Sequence, residues 1–176
     1  MTDAPRLVLM SRTPPAGQAL SLDAFAKLVD AYHVDLLRLA YGMSGDRLLA
    51  EDAVQACWQS AWRSRGQLRD PAVARGWLCT IAANEVRRHL RRRRLGNLLH
   101  ARLAPAVGAA DIEPRHIDLA TALSRLPLRD RQLIGMRYDL QMTSDEIAPH
   151  LGMTASGTRV RLKRVIQKLR EDLSDV

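Results

Sequence analysis

Cysteine is nearly missing from this 176-residue chain, which holds only Cys57 and Cys79. Their separation gives neither metal-ligand spacing nor a disulfide framework. Both fall in segments of helical periodicity, which favours small buried thiols of a protein in a reducing cytoplasm over the alternative, a redox switch. Long apolar runs are missing as well. Residues 1–19 contain Pro5, Pro14 and Pro15 without a sustained hydrophobic stretch, so the expectation there is a loose tail, not a signal peptide or membrane insertion. No segment alternates apolar and polar residues as a half-buried strand does, which argues for an all-α chain. His33, His89, His100, His116 and His150 are scattered without ligand spacing, and no acid pair or nucleophile and base recur in one motif. No catalytic residue, metal or cofactor is therefore expected, and the chain reads as a non-enzyme. Trp58, Trp62 and Trp77 sit at core-compatible positions, where packing is the expected role.

Positive charge is what the sequence has in excess. Lys and Arg number 27 against 19 Asp and Glu, a formal net charge of +8, yet 47% of residues are hydrophobic. Such a chain can fold and also seeks a polyanion.

Helical stripes follow one another from Leu20. Leu22, Phe25, Leu28, Val29, Tyr32, Leu36, Leu39 and Ala40 keep the first dry, with Ser21 and Asp23 as caps. After a break at Gly42–Asp46, a second stripe runs through Leu48, Leu49, Ala53, Val54, Cys57, Trp58, Ala61 and Trp62. The segment Arg65–Pro71 ends it. A third begins near Pro71 with Ala74, Trp77, Leu78, Ile81, Ala82 and Val86 inward, and runs into Arg87, Arg88 and Arg91–Arg94. Between Leu95 and Arg115, Ala, Gly and Pro replace large apolar residues, as in a linker, with a short helix at Asn97–Leu103 allowed. Two further short helices follow, one on Ile117, Leu119, Leu123 and Leu126, one on Leu133, Ile134, Met136 and Tyr138.

The densest signal is Thr143–Thr154: a capped helix, a turn bearing Gly152, and the cap of a second helix, which is a helix-turn-helix. On the second helix, 100° per residue puts Thr158, Leu162, Val165, Ile166 and Leu169 on the inner face. Ser156, Arg159, Val160, Lys163, Arg164 and Gln167 then face out. A dry back and a cationic, hydrogen-bonding front suit the major groove, with Arg159 as a guanine reader and Ser156 on a base or phosphate. The Arg87–Arg94 tract suits backbone phosphates, and Asn84, one turn earlier, can bond an exposed base.

Gly45-Asp46-Arg47-Leu48-Leu49-Ala50-Glu51-Asp52-Ala53-Val54-Gln55, then Trp62-Arg63, Arg75-Gly76-Trp77-Leu78, Ile81-Ala82 and Asn84, resembles the extracytoplasmic-function (ECF) sigma factors of bacterial RNA polymerase. Leu126-Pro127, Arg131, Glu146-Ile147-Ala148, Leu151-Gly152, Arg161-Leu162-Lys163-Arg164 and Leu169-Arg170 resemble that family's other domain, in the right order. The likeness covers nearly everything from Ser21 to Leu173. It implies two separately folded helical domains on a flexible tether. A three-helix region two would span residues 20–95, a linker 96–115, and a four-helix region four 116–176, after the tail at 1–19.

The resemblance also implies roles and partners. Asp52, Gln55, Gln59 and Arg63 would dock on the clamp coiled coil of the polymerase's largest subunit. Arg65, Gln67 and Arg69 would lie in the loop that captures a flipped non-template base, and Asn84, Arg87, Arg88 and Arg91 on the helix holding melted minus-ten DNA. Ser156, Arg159, Lys163 and Arg164 would enter the major groove of the minus-thirty-five element, while the domain's other surface meets the polymerase flap. An anti-sigma factor is an expected further partner. Two positions depart from the family: Arg88 stands where an acidic residue is common, and Ser156-Gly157-Thr158 where Gly-Thr-Val is usual. A glycine inside a helix costs about 1 kcal/mol relative to alanine. The rival readings are a stand-alone helix-turn-helix regulator, which leaves the Asp52 and Gln55 face unexplained, and a basic RNA-binding protein.

Overall fold

The computed structural model describes residues 20–68, 70–100 and 114–174, the side chains of 96–100 and 114–118 excepted. The described chain is all helical: α1 (Leu22–Ser44), α2 (Arg47–Arg63), α3 (Ala74–His100), α4 (Pro114–Arg125), α5 (Leu128–Ile134), α6 (Ser144–Leu151) and α7 (Ala155–Ser174). The three long helices pack on one another as the first domain and the four shorter ones form the second. Helix α3 runs five residues beyond the expected domain edge at 95, and α4 begins at Pro114, two before His116. Residues 1–19 and 101–113, which hold the expected tail and most of the expected linker, lie outside the described residues.

Local chemistry sets the helix ends. Ser21 Oγ accepts from the Ala24 amide at 3.2 Å and starts α1. Gly45, at φ 70°, closes α1 by donating its amide to the Tyr41 carbonyl at 2.7 Å, a left-handed stop that L side chains rarely adopt. Asp46 then caps α2 through Leu49, and the Leu49 amide together with the Arg93 guanidinium holds its carboxyl below the usual range. Asp70 caps the 3-10 turn Pro71–Val73 that leads into α3. Between α5 and α6 the chain widens into a π-helical turn, Gly135–Asp139, where Leu140 N bonds Gly135 O at 3.1 Å, five residues back.

Four apolar residues depart from their expected stripes. Leu22, at the first position of α1, is 69% exposed among the described residues, and Leu48 is 74% exposed because it sits one residue off the buried row Leu49, Ala53, Val54, Cys57 and Ala61. Tyr138 is half exposed, since the π-helical turn rotates it off the row that Leu133 and Met136 occupy, and Leu119 lies on the surface of α4. Cys57 and Cys79 are fully buried, and burial pushes both thiols up to about 12.

The two helical domains expected from the sequence are both present, and their apolar faces meet. Phe25, Leu36, Leu39 and Met43 of α1, the inner faces of α2 and α3, and Leu133, Met136, Leu140, Met142, Ile147 and Leu151 form one continuous core. The physical cause is α1, which is dry on two sides: one packs on α2 and α3, the other on α5 and the π-helical turn. Gly135 permits the approach, since a Cβ there would stand 2.7 Å from Leu39 Cδ1. Arg131 fastens the same seam, donating to the Met43 carbonyl at 2.9 Å and to Leu126 O at 3.0 Å. A small second core, Ala122, Leu126, Val165 and Leu169, joins α4 to α7.

A core shared across the seam should make the chain unfold as one unit. Leu39→Ala is expected to lower stability by about 2–5 kcal/mol and to shift both halves together in a single urea transition followed by circular dichroism. Two separated transitions in the wild-type chain would contradict the shared core.

Candidate nucleic-acid interfaces

Helix α6 opens with a capping box: Glu146 N bonds Thr143 Oγ1 at 3.3 Å, and Thr143 N bonds Glu146 Oε2 at 2.7 Å. Those bonds hold the Glu146 carboxyl below its usual range. Gly152, at φ 59°, ends the helix in the left-handed region, and Thr154 caps α7 two residues on, bonding the Gly157 amide at 3.1 Å. Gly157 is thus the third residue of α7, inside the first turn, where its amide would otherwise lack a partner. The helix runs regularly through it, so the departure at Ser156-Gly157-Thr158 does not break α7.

Helix α7 is seated by Thr158, Val165 and Leu169, all buried, and by Arg161, whose Nε lies 2.6 Å from Asp130 Oδ1. Asp130 is almost fully buried in α5, and this ion pair fixes the rotation of α7 about its axis. Ser156, Arg159, Lys163 and Arg164 are consequently exposed, as are Val160 and Gln167. Leu162 and Ile166, expected inside, are half-buried and floor an open groove of about 420 Å³ beside Arg137, Ser144, Arg159, Lys163 and Arg170. Arg159 also reaches Asp145 of α6 at 3.6 Å, across the turn of the motif.

The first domain carries two further rows. Asp52, Gln55, Gln59 and Arg63 are all exposed on α2 at spacings of three and four, one continuous wet stripe. On α3, Asn84, Arg88 and Arg91 make a second exposed stripe, opposite the buried Ala82, Ala83 and Val86. Arg88 pairs with Glu85 at 3.3 Å, and Glu85 in turn accepts from Ser60 of α2 at 3.0 Å. Arg87 departs from this stripe: its half-buried guanidinium bonds Asn84 Oδ1 at 2.9 Å and reaches across the seam to Gln132 of α5. In the loop, Arg65 stacks 4.1 Å above the Trp62 ring and bonds the Trp62 carbonyl at 2.8 Å, while Gln67 is exposed on the 3-10 turn. Arg69 lies outside the described residues.

Residues 28–95 match the Sigma-70 region 2 family and residues 122–171 match Sigma-70 region 4, more than half the chain together and in this order. The ECF RNA polymerase sigma factor SigL of Mycobacterium tuberculosis is 30% identical over 156 residues, covering 85% of this chain and 88% of its own. The chain belongs to the extracytoplasmic-function sigma factors. The RNA polymerase sigma factor CarQ of Myxococcus xanthus is 31% identical over 161 residues, covering 88% of this chain and 91% of its own. RfaY of Xanthomonas campestris pv. campestris, named for the same function, is 28% identical over 90% of this chain, but the match spans only 42% of RfaY. Among solved structures, the sigma factor RpoE bound to the anti-sigma factor NepR from Bartonella quintana matches at TM-score 0.68 and 22% identity, over 84% of this chain and 97% of its own. CnrH in complex with the cytosolic domain of CnrY matches at 0.66 and 25% identity, over 88% and 90%.

Sequence reasoning missed the arginines that this sigma factor spends on its own backbone. Arg131 bonds three carbonyls, Arg129 bonds Leu151 O, and Arg137 bonds Met142 O at 3.0 Å. Nothing in the sequence separates these cations from Arg159 or Arg91, because which carbonyls they reach, such as Met43 O and Leu151 O, depends on how the helices and turns pack. Removing the carboxylate that pairs with Arg161 tests the seating of the exposed face of α7. Asp130→Asn is expected to lower stability by roughly 1–3 kcal/mol in urea denaturation and to weaken duplex binding by the polymerase-bound protein. Unchanged values for both would show that Arg161 needs no partner.

Proposed function

We propose that this sigma factor divides promoter recognition between its two domains, residues 20–95 serving the minus-ten element and residues 116–176 the minus-thirty-five element. Residues 96–115 act as the tether and 1–19 as a tail. The protein works in the cytoplasm, performs no catalytic step of its own and carries no cofactor. The observation that carries the reading is the pair of exposed polar rows, Asn84, Arg88 and Arg91 on α3 and Ser156, Arg159 and Lys163 on α7, each on a helix whose other side is dry.

Core RNA polymerase docks its clamp coiled coil on Asp52, Gln55, Gln59 and Arg63, and its flap meets the second domain. The exposure of that α2 stripe, beside the projecting Leu48, supports this docking. Opening the minus-ten duplex costs a few kcal/mol per unstacked step, and capture of an extruded non-template base near Arg65, Gln67 and Arg69 offsets it. Asn84, Arg87, Arg88 and Arg91 hold the strand by charge and hydrogen bonds, so binding weakens steeply with salt. Ser156, Arg159, Lys163 and Arg164 read the minus-thirty-five major groove. RpoE is solved in complex with the anti-sigma factor NepR, which supports a similar partner for this chain.

Run-off transcription and gel shifts with purified core polymerase test the reading. Duplex binding by the isolated chain is expected to be feeble, and promoter-specific binding to appear only with core enzyme. Tight specific binding by the chain alone would instead support a stand-alone regulator. Asp52→Arg combined with Gln55→Ala should abolish co-purification with core enzyme while leaving the circular dichroism spectrum intact; retained co-purification would refute the docking face. Arg159→Ala should relax sequence choice at one or two base pairs by about 1–3 kcal/mol, read as promoter preference in competition binding, and unchanged preference would remove Arg159 from the readers.

A further inference from the structure

Val160 of α7 is 51% exposed, and it has no part in the promoter reading proposed above. A single exposed valine needs no function of its own; its position sets this one apart. Buried Thr158, Val165 and Leu169 fix the inner side of α7. At 3.6 residues per turn, Ser156 and Val160 each stand within about 20° of the line directly opposite that side. Arg159 and Lys163 lie to one flank of the line and Arg164 to the other, all three exposed. From Ala155 to Arg170, Val160 is the one exposed residue whose side chain neither carries charge nor forms hydrogen bonds.

The outer face of α7 is therefore low in the middle and high at its edges, two short side chains between long cations. Asp145 of α6 holds Arg159 toward its flank at 3.6 Å. A major groove about 12 Å wide and about 8.5 Å deep admits a helix with the middle of its face against the base edges and its flanks toward the phosphates. A hydrocarbon laid against a polar base edge leaves that donor or acceptor unpaired, which is costly. The 5-methyl group of thymine is the apolar exception on those edges. Val160 suits it, because a valine in a helix holds essentially one rotamer and loses little freedom on contact. Helix formation by itself does not call for valine, which ranks below the Arg, Lys and Gln of the neighbouring exposed positions.

We infer that Val160 reads the 5-methyl group of a thymine in the minus-thirty-five major groove, beside the base that Arg159 reads, which makes thymine the preferred base there. The inference rests on the placement of α7 in that groove proposed above. Being apolar, the contact discriminates between bases without releasing a counterion, so it adds nothing to the salt dependence of binding.

The test uses holoenzyme assembled from core polymerase and the full chain. It first selects its promoter from duplexes randomised over both elements, and each thymine of the selected minus-thirty-five element is then replaced singly by deoxyuridine, which removes only the methyl group. One replacement is expected to weaken binding by wild type about fourfold, as for burial of about one methyl group. The same replacement should leave Val160→Ala unaffected, and that variant should bind the thymine duplex about as weakly as wild type binds the deoxyuridine one. Its circular dichroism spectrum and salt dependence should match wild type, since alanine favours the helix and no phosphate contact is lost. A selected element without thymine, no deoxyuridine effect, or an equal effect in wild type and variant overturns the inference. Weaker co-purification of Val160→Ala with core enzyme, without thymine dependence, overturns it too and puts Val160 on a protein contact. If Arg159→Ala relaxes sequence choice while deoxyuridine has no effect, the groove placement stands and the Val160 contact alone falls. If wild type selects no minus-thirty-five sequence, the placement fails and Val160 falls with it.

Discussion

The two-sided burial of α1 is the constraint on which the rest of the molecule depends. A helix with one dry stripe would finish its work by packing on α2 and α3. Leu39, Ala40 and Met43 extend the dry surface around the C-terminal half of α1, and that surface is satisfied only by α5 and the π-helical turn. Gly135 then becomes necessary for packing, because a side chain there would meet Leu39. Arg131 becomes a structural cation, because the seam brings the Met43 carbonyl within its reach.

The same constraint sorts the arginines into two populations. Those on the seam, Arg87 and Arg131, and those wrapped on nearby carbonyls, Arg129 and Arg137, spend their donors inside the protein. Arg91, Arg159, Lys163 and Arg164 remain exposed on helices whose opposite faces are packed. Net charge thus overstates how much of the basic character is presented to a polyanion. The groups that do face outward are held at fixed angles by caps and by the Asp130–Arg161 pair.

Much of the layout of the candidate site was legible in the sequence, because helix faces follow from a period of 3.6 residues and caps from short-range hydrogen bonds. The helix-turn-helix at Thr143–Thr154, the wet stripe of Asp52, Gln55, Gln59 and Arg63, and the outward set on α7 all emerge where local periodicity puts them. Tyr138 escaped it, since a π-helical turn changes the period without a sequence mark. Leu22 and Leu48 escaped it because, among the described residues, the first turn of a helix can be apolar and still meet no neighbour.

The amino-acid sequence alone determined the all-helical class, the order of the two domains, the caps and the direction in which each exposed row points, since all of these arise from contacts within a turn or two of helix. Only the tertiary structure decided that the domains share a core, that Gln132 takes Arg87 and that His150 fills the space above Gly76. Those contacts join residues that lie far apart in the chain. Shape and hydrogen-bond complementarity between distant surfaces has no periodicity to announce it.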